Sequence, residues 1–349
     1  MSRRHSIACG LLLMLAIGAL ALSSCRASGV ASGSTRSHSA TADSSTAVSS
    51  PSESPSADPT SSESAESATT FPLTGAAASG AAAASRPVLA VAVPVGPGLP
   101  APTGLQAADI VYAGYPAGDA VRYLALFQSQ QPARVGPVGP AAPEDGRLLD
   151  VMHPLFAFND GPKRFVHPLS RTSVVALPRS AHAAAYTVTS GKPYATPSAL
   201  LALASPRSAA PVILLPHSRP LVGSGVRAAH TLTITMPGRT PLTWRYDAKP
   251  RGWRSTGTGG ATPTNVIVQV MPYRSVLDRN HGTPVRSPVI VGTGSCRVVS
   301  LDQTAGCTWS KPGAAKLTNY VDAGGFPLQF APGPTWVLLV PPGSTVKTG

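Results

Sequence analysis

The chain has 349 residues and a formal net charge of +13, and its length allows either one or two folded domains. Residues 86–349 alone carry a net charge of +14, because residues 1–24 contribute +2 and residues 25–85 contribute −3. That region holds ten acidic residues with a single glutamate, Glu144, which disfavours a glycosidase built on paired carboxylates, although Asp109 and Asp119 leave one such pair open. The positive charge attracts anionic partners, unless it only reflects a composition in which arginine is frequent.

The first 24 residues have the pattern of an export signal. Arg3 and Arg4 provide a charged start, and an uncharged apolar stretch runs from Ile7 to Leu22. A membrane span needs about 20 apolar residues, so this shorter stretch suits the core of a signal peptide. The sequence LSSC that ends at Cys25 resembles the lipobox of bacterial lipoproteins, in which the cysteine is lipidated and becomes the first mature residue. We expect a lipid on Cys25 and a location on the outer face of the cell membrane; an ordinary secretory signal is the alternative.

Residues 25–85 have the composition of a disordered linker. Ser, Ala, Thr, Gly and Pro dominate, and one Phe is almost the only large apolar residue. Such a segment cannot bury enough apolar surface to offset the entropy lost on ordering. A flexible linker of this length spans on the order of 40 Å, which would hold a domain away from a bilayer and inside the cell wall.

The remaining sequence predicts a strand-rich α+β fold in two adjacent sub-domains, residues 86–225 and residues 226–349, the second mostly β. Short apolar runs rich in β-branched residues predict the strands, and a proline in the first turn favours the second of two short helices. The predicted helices are Arg147–Met152 and Pro197–Ala204. In chain order, the predicted strands are Val88–Val95, Asp109–Tyr112, Val121–Phe127, Thr231–Met236, Leu242–Tyr246, Val266–Met271, Pro288–Val291 and Trp336–Val340.

Two cysteines remain in the folded part, Cys296 and Cys307, eleven positions apart. The residues between them suit a turn, and cysteines on facing strands of a hairpin have a natural disulfide geometry. In an oxidising compartment we expect a disulfide, worth roughly 2–3 kcal/mol for so short a loop. Neither cysteine has a second ligand at metal-binding spacing, so we expect no metal site.

A set of short segments follows a family pattern in order: Gly104–Tyr112 (GLQAADIVY), Val121–Gln128 (VRYLALFQ), Arg134–Val138 (RVGPV), Trp244–Asp247, Asn265–Val268, Gly292–Gly294, Thr308–Lys311 and Pro332–Trp336. The ordered set resembles the YerB-like bacterial lipoproteins, which are built from two adjacent domains of unknown function (domain of unknown function 3048, N- and C-terminal domains). The resemblance covers about residues 87–342. It implies an exported, lipid-anchored α+β protein with a smaller β-rich C-terminal part, and it implies no known reaction.

The chain departs from this family at two polar segments. After Val138 the family pattern continues R-S-A-R, whereas residues 139–142 read GPAA, so two arginines and a serine are absent. Farther on, where the family has R-x-A-P-H-N, the chain retains Arg179 and His182 and lacks the asparagine. Paired guanidinium groups beside a serine suit a phosphate or carboxylate ligand. If these residues form a site in relatives, this chain is a diverged or degenerate binder.

Residues suited to catalysis are few. His153, His167 and His182 lie within thirty residues of one another, with Asp150 and Asp160 nearby, which leaves open an envelope hydrolase centred on His182. Histidines of this kind more often hydrogen-bond in loops, and residues 86–349 carry neither the G-x-S-x-G motif of hydrolases nor the H-E-x-x-H motif of metalloproteases. We therefore predict a protein that is not an enzyme and uses no cofactor.

The favoured interpretation is a binding module for an anionic envelope ligand, such as a wall polymer. Its candidate ligand-binding residues are Arg122, Lys163, Arg164, Arg179 and His182. As alternatives, these are solvated surface charges, or Arg122 pairs internally with Asp109 or Asp119. An assembly scaffold with protein partners is a further alternative. Nucleic acid is disfavoured, because no nucleic-acid-binding motif is present.

Overall fold

The computed structural model describes residues 69–116, 120–209, 211–218, 220–277 and 284–349. The predicted signal, Cys25 and Asp119 lie outside the described residues, so lipidation stays a prediction. The predicted linker boundary at Ser85 needs correction. Leu73 is completely buried in a core, Thr70 pairs with Ala77, and a helical turn follows, so ordered structure includes residues that composition alone assigns to the linker. Most residues of this segment are small, so its composition resembles that of a linker although a few of its residues, such as Leu73, are packed in the core.

The described residues contain four short α-helices and nineteen strands. The helices are α1 (Ala81–Ala84), α2 (Asp145–Leu149), α3 (Lys163–Val166) and α4 (Pro197–Leu201), with single 3₁₀ turns at Leu105–Ala107, Asp150–Met152, His167–Arg171 and Ala183–Ala185. The strands are β1 (Leu89–Val95), β2 (Ile110–Gly114), β3 (Val121–Phe127), β4 (Leu155–Phe158), β5 (Val175–Pro178), β6 (Tyr186–Thr189), β7 (Lys192–Ala195), β8 (Arg227–Ala228), β9 (Thr231–Thr235), β10 (Leu242–Asp247), β11 (Gly252–Arg254), β12 (Asn265–Val270), β13 (Tyr273–Leu277), β14 (Pro284–Pro288), β15 (Gly292–Ser300), β16 (Gln303–Lys311), β17 (Asn319–Val321), β18 (Thr335–Val340) and β19 (Thr345–Thr348).

The main sheet of the described residues has eleven strands, in the order β17-β16-β15-β12-β18-β2-β3-β1-β4-β5, with β8 paired to β16. Strands β18 and β2 pair in parallel, with Thr335 opposite Ile110 and Leu339 opposite Gly114. Strand β2 belongs to the N-terminal half of the sequence and β18 to the C-terminal half. The two predicted sub-domains, residues 86–225 and residues 226–349, therefore contribute strands to one continuous hydrogen-bonded sheet.

Both faces of the main sheet are buried, and the side chains of β1 alternate between the two cores. Leu89 and Val91 pack into one core together with Trp244 of the separate four-stranded sheet β11-β10-β9-β19. Ala90 packs into the other core together with Leu149 of α2. A strand buried on both faces reads as a nearly continuous apolar run, which is the pattern of β1 in the sequence.

Asp109, in the segment GLQAADIVY, fastens β2 to the end of β3. Its carboxylate accepts hydrogen bonds from the backbone amides of Gln128, at 2.5 Å, and Ser129, at 2.8 Å, and from the Ser129 hydroxyl. The side chain is almost completely buried. Burial raises the pKa of Asp109, and these hydrogen bonds oppose the rise. The aspartate of this segment therefore has a structural role in the sheet.

The strand-rich α+β class and the mostly β C-terminal segment are confirmed. Seven of the eight predicted strands and both predicted helices appear with shifts of a few residues. The predicted strand Pro288–Val291 is wrong, because β14 ends at Pro288 and β15 begins at Gly292, with Val289 bonded to Pro272 between them. The predicted disulfide is confirmed, since Cys296 faces Cys307 across the β15–β16 hairpin.

Candidate functional site

Six parallel strands of the main sheet end at the same edge. Strands β12, β18 and β2 run in one direction, and β3 is antiparallel to both β2 and β1, so β1, β4 and β5 share that direction. The amino end of β3 therefore lies beside these carboxyl ends, where Arg122 is opposite both Gly114 and Pro94. In open α/β sheets, ligands bind beyond the carboxyl ends of the strands. This edge is where the structure places its main candidate site.

Arg122 is held in an internal ion pair at this edge. Its Nη2 atom donates to Asp145 Oδ2 at 2.8 Å and to the carbonyl of Pro140 at 3.2 Å, and its Nη1 atom lies 3.8 Å from Glu144 Oε1. Ser287 donates a further hydrogen bond to Glu144. Burial raises the pKa of Asp145 to about 6, although the Arg122 charge opposes the rise. The pairing foreseen as an alternative is internal, but its partners are Asp145 and Glu144 instead of Asp109, while Asp119 lies outside the described residues.

A cavity of about 410 Å³ lies beside this ion pair and is lined by four arginines. We call it the arginine cavity, defined by Arg147 of α2, Arg164 of α3, Arg171 of the following 3₁₀ turn and Arg274 of β13. Among the described residues, Asp150 is the one acidic residue in its wall, and its carboxylate already accepts a hydrogen bond from the Ser173 amide at 2.8 Å. The wall therefore carries a strong excess of positive charge.

Arg164 is the most unusual member of this cavity. Its Nε and Nη2 atoms are buried and have no hydrogen-bond partner among the described residues. Its guanidinium carbon lies 4.7 Å from the centre of the Phe165 ring, so one side of the group packs on an aromatic face. A buried donor without an acceptor costs on the order of 1–3 kcal/mol, and more when the group is charged. An acceptor from outside the chain would remove this cost.

A second cavity, of about 210 Å³, adjoins the first. We call it the proline cavity, after the five prolines in its wall: Pro116, Pro140, Pro143, Pro162 and Pro288. Tyr115, Val285 and residues 141–142 add further apolar surface. Pro143 and Phe165 line both cavities, so the two share a wall. The segment 140–142, which departs from the family pattern, therefore forms part of an apolar surface in this chain.

The five predicted ligand-binding residues fall in different places. Arg164 lines the arginine cavity, and Lys163 precedes it as an exposed residue of α3. Arg122 lines the proline cavity with its charge compensated. His182 lines a different cavity, of about 320 Å³, between α4 and the 3₁₀ turn Ala183–Ala185, which precedes α4 in the sequence. Arg179 lines none of these cavities, and its amide bonds the Phe158 carbonyl at the end of β4.

Within the described ranges, the histidines of the hydrolase alternative do not pair with the nearby aspartates. None of His153, His167 and His182 forms a side-chain hydrogen bond or ion pair with Asp150 or Asp160. The Asp160 carboxylate instead accepts a hydrogen bond from Ser180. Across the described ranges, no group of three or more His, Cys, Asp and Glu residues could hold a metal ion.

The sequence analysis did not identify three residues of the arginine cavity: Arg147, Arg171 and Arg274. Arg147 and Arg171 lie in helical turns of the half that holds the other candidates, but no motif distinguishes them from solvated arginines. Arg274 reaches the cavity from the β13–β14 hairpin of the other half. Only the shared sheet brings that hairpin to the same edge, so sequence spacing could not reveal it.

These features define a strand-rich α+β protein with an arginine-lined cavity at the carboxyl edge of a mixed sheet. The chain matches the Protein of unknown function (DUF3048) N-terminal domain over residues 73–208 and the corresponding C-terminal domain over residues 232–337. It therefore belongs to the DUF3048 family, as the resemblance to YerB-like proteins predicts. No curated protein matches it. The crystal structure of the YerB protein from Bacillus subtilis is similar, with 19% identity, a TM-score of 0.66, and coverage of 80% of this chain and 99% of that chain. At this identity the similarity shows the fold alone.

Proposed function

We propose that this protein is a non-enzymatic binding module for an anionic ligand of the cell envelope, such as a phosphate-rich wall polymer. The observation that carries the proposal is the Arg164 guanidinium, whose Nε and Nη2 atoms are buried without a partner among the described residues. Among the residues that the structure describes, it lines a cavity together with three further arginines and a single aspartate. A phosphate or carboxylate oxygen supplies the acceptors that this guanidinium lacks.

The chemistry of the cavity favours a phosphate group over a neutral ligand. Guanidinium groups match phosphate and carboxylate oxygens with paired hydrogen bonds, and charge-assisted bonds are about twice as strong as neutral ones. Four arginines around about 410 Å³ can contact more than one anionic group, which suits a repeating polyanion. Exposed Arg147, Arg171 and Arg274 would attract such a ligand at long range, and salt would weaken that attraction.

The proposed setting is the outer face of the cell membrane, reached through the export signal and a lipid on Cys25. The LSSC sequence and the small-residue segment after it support this setting. Among the described residues, no helix is long and apolar enough to cross a membrane. A lipid on Cys25 would hold the fold within reach of wall polymer by means of the intervening segment.

The test measures binding of the purified full chain to intact cell walls and to walls stripped of anionic polymer, at low and high salt. The native protein should bind only intact walls, and salt should weaken binding. Arg164→Gln should weaken binding by about tenfold, because charge-assisted hydrogen bonds are lost. Arg251→Gln is the matched control, since it removes the same charge from an exposed turn between β10 and β11.

Two outcomes would contradict the proposal. If the native protein binds neither wall preparation, the anionic wall ligand is wrong. If Arg164→Gln and Arg251→Gln weaken binding equally, the effect belongs to net charge and the arginine cavity is not the binding site.

A further inference from the structure

The arginine cavity and the proline cavity meet at a shared wall of two residues. Pro143 and Phe165 line both. Arg164 and Phe165 are consecutive in α3, so the unpartnered guanidinium and the ring at the boundary are held together by one helical turn. A strongly basic space and an apolar space are therefore in direct contact at the same edge of the sheet.

The wall of the proline cavity offers few hydrogen-bonding groups. Proline has no backbone N–H, so the five prolines present ring carbons where other residues would present donors. Arg122 in this wall is already paired with Glu144 and with Asp145, so its charge is not free for a ligand. In the described part of this wall, Arg286 is the remaining charged residue, and its guanidinium carbon lies 5.5 Å from the centre of the Tyr273 ring. Such a surface suits an apolar ligand segment next to an anionic one.

The β13–β14 hairpin contributes to both cavities. Arg274 and Val276 of β13 line the arginine cavity, and Val285 of β14 lines the proline cavity. The hairpin is fastened to the N-terminal segment by the hydrogen bond from Ser287 to the buried Glu144, at 2.9 Å. One pair of strands therefore contributes side chains to both the basic and the apolar space.

We propose that the ligand is an amphiphile with a phosphate head group, which binds in the arginine cavity, and an apolar segment, which binds in the proline cavity. This inference rests on the proposed function, because it assigns the anionic group to the same arginines. Together the two cavities have the size of an ordinary small-molecule site, about 300–1,000 Å³. The shared chemistry belongs both to a membrane phospholipid and to a free alkyl or prenyl phosphate.

The test titrates the full chain with inorganic pyrophosphate and with butyl, hexyl and octyl phosphate, and uses octyl glucoside as the neutral control. Affinity should rise by about fourfold for each methylene group that enters the proline cavity, and it should level off when the cavity is full. Val285→Asn should remove most of this dependence on chain length while pyrophosphate binding stays unchanged. Arg164→Gln should weaken binding of pyrophosphate and of every alkyl phosphate.

The outcomes separate the two proposals. Binding of pyrophosphate through Arg164 without any effect of alkyl chain length would overturn the amphiphile and leave the anion-binding function intact. No binding of pyrophosphate or of any alkyl phosphate would overturn both. Equal binding of octyl glucoside and octyl phosphate would overturn the phosphate head group. A parallel arm with phosphatidylglycerol vesicles identifies the source: binding to vesicles indicates a bilayer lipid, and binding only to soluble alkyl phosphates indicates a free amphiphile.

Discussion

Arg122 Nη2 lies 2.8 Å from Asp145 Oδ2, and the Asp145 side chain is fully buried. The guanidinium also lies within 3.8 Å of Glu144, so one cation serves two adjacent carboxylates. This pairing explains why an arginine that interrupts an apolar strand in the sequence is tolerated there. It also means that the charge of Arg122 is not free for an external ligand, whereas the nearby Arg164 guanidinium has partnerless nitrogens in the described residues.

Replacement of Arg122 by Met should destabilise the fold, because two carboxylates lose their cation. We expect the free energy of unfolding to fall by about 3–5 kcal/mol at pH 7, measured by urea denaturation. The pKa of Asp145 in the folded protein is raised to about 6, from an ordinary value of 3.8. The folded protein therefore holds this proton more tightly than the unfolded chain does. The resulting contribution to the free energy of unfolding is complete below about pH 4 and is lost as the pH rises through about 6.

The loss in Arg122→Met should therefore be smaller at pH 4.5 than at pH 7. Asp145→Asn, which removes a charge instead of isolating one, is the matched control and should cost less than Arg122→Met at pH 7. A loss of under about 1 kcal/mol in Arg122→Met at pH 7 would show that the carboxylates do not depend on this arginine.

Lys311 should make stability depend on pH in the alkaline range. Burial lowers its pKa to about 8, although the charge of Asp150 opposes this shift. Since the unfolded chain keeps the ordinary value of 10.5, the unfolded state binds more protons between these values, and stability rises with pH there. Lys311→Met should lose this rise. The measurement is the difference in unfolding free energy between native protein and variant at pH 7.5 and pH 9.5, and a constant difference would contradict the assignment.

Asp109→Asn should destabilise the sheet, because the buried carboxylate accepts hydrogen bonds from the Gln128 and Ser129 amides and the Ser129 hydroxyl. An amide at this position retains one acceptor oxygen and adds two donors without partners. We expect a loss of about 1.5–3 kcal/mol in denaturant unfolding. Asp302→Asn, at the exposed turn between β15 and β16, should change stability by less than about 0.5 kcal/mol. Equal losses of unfolding free energy in the two variants would show that Asp109 does not stabilise the sheet.

The Cys296–Cys307 disulfide should contribute about 2–3 kcal/mol, because it closes a short loop between paired strands. The double variant Cys296→Ala, Cys307→Ala should lower the unfolding free energy by that amount and become insensitive to dithiothreitol. Native protein should lose the same amount on reduction. Unchanged stability of the native protein after complete reduction would show that the hairpin does not need the bond.

Sequence periodicity predicted the central strands well, because β1, β3, β12 and β18 are apolar runs buried on both faces. Among the strands it missed are β13 and β14, in which the exposed residues Arg274, Pro284 and Arg286 interrupt the apolar pattern and resemble loop sequence. The candidate site was predicted only in part, since Arg164 was named and Arg274 was not. Arg171 and Arg274 line the same cavity although they lie in different halves of the sequence, which the β2–β18 pairing joins in one sheet. No local sequence pattern encodes a contact of that range.

Arg164→Met should increase stability when no ligand is present. The native guanidinium has buried donors without partners in the described residues, and methionine fills similar space without a charge. We expect a gain of about 1 kcal/mol in unfolding free energy, together with a loss of ligand binding, which is the usual relation between stability and function at a binding site. A loss of more than about 1 kcal/mol would indicate that Arg164 supports the fold.

Calorimetric titration of the full chain with inorganic pyrophosphate tests the central claim most directly, with native protein, Arg164→Gln and Arg251→Gln compared at low salt. The arginine cavity predicts saturable binding to the native protein, affinity within about twofold of native for Arg251→Gln, and affinity about tenfold weaker for Arg164→Gln. Absence of saturable binding to the native protein, or identical affinities for Arg164→Gln and Arg251→Gln, would contradict an anion site in this cavity.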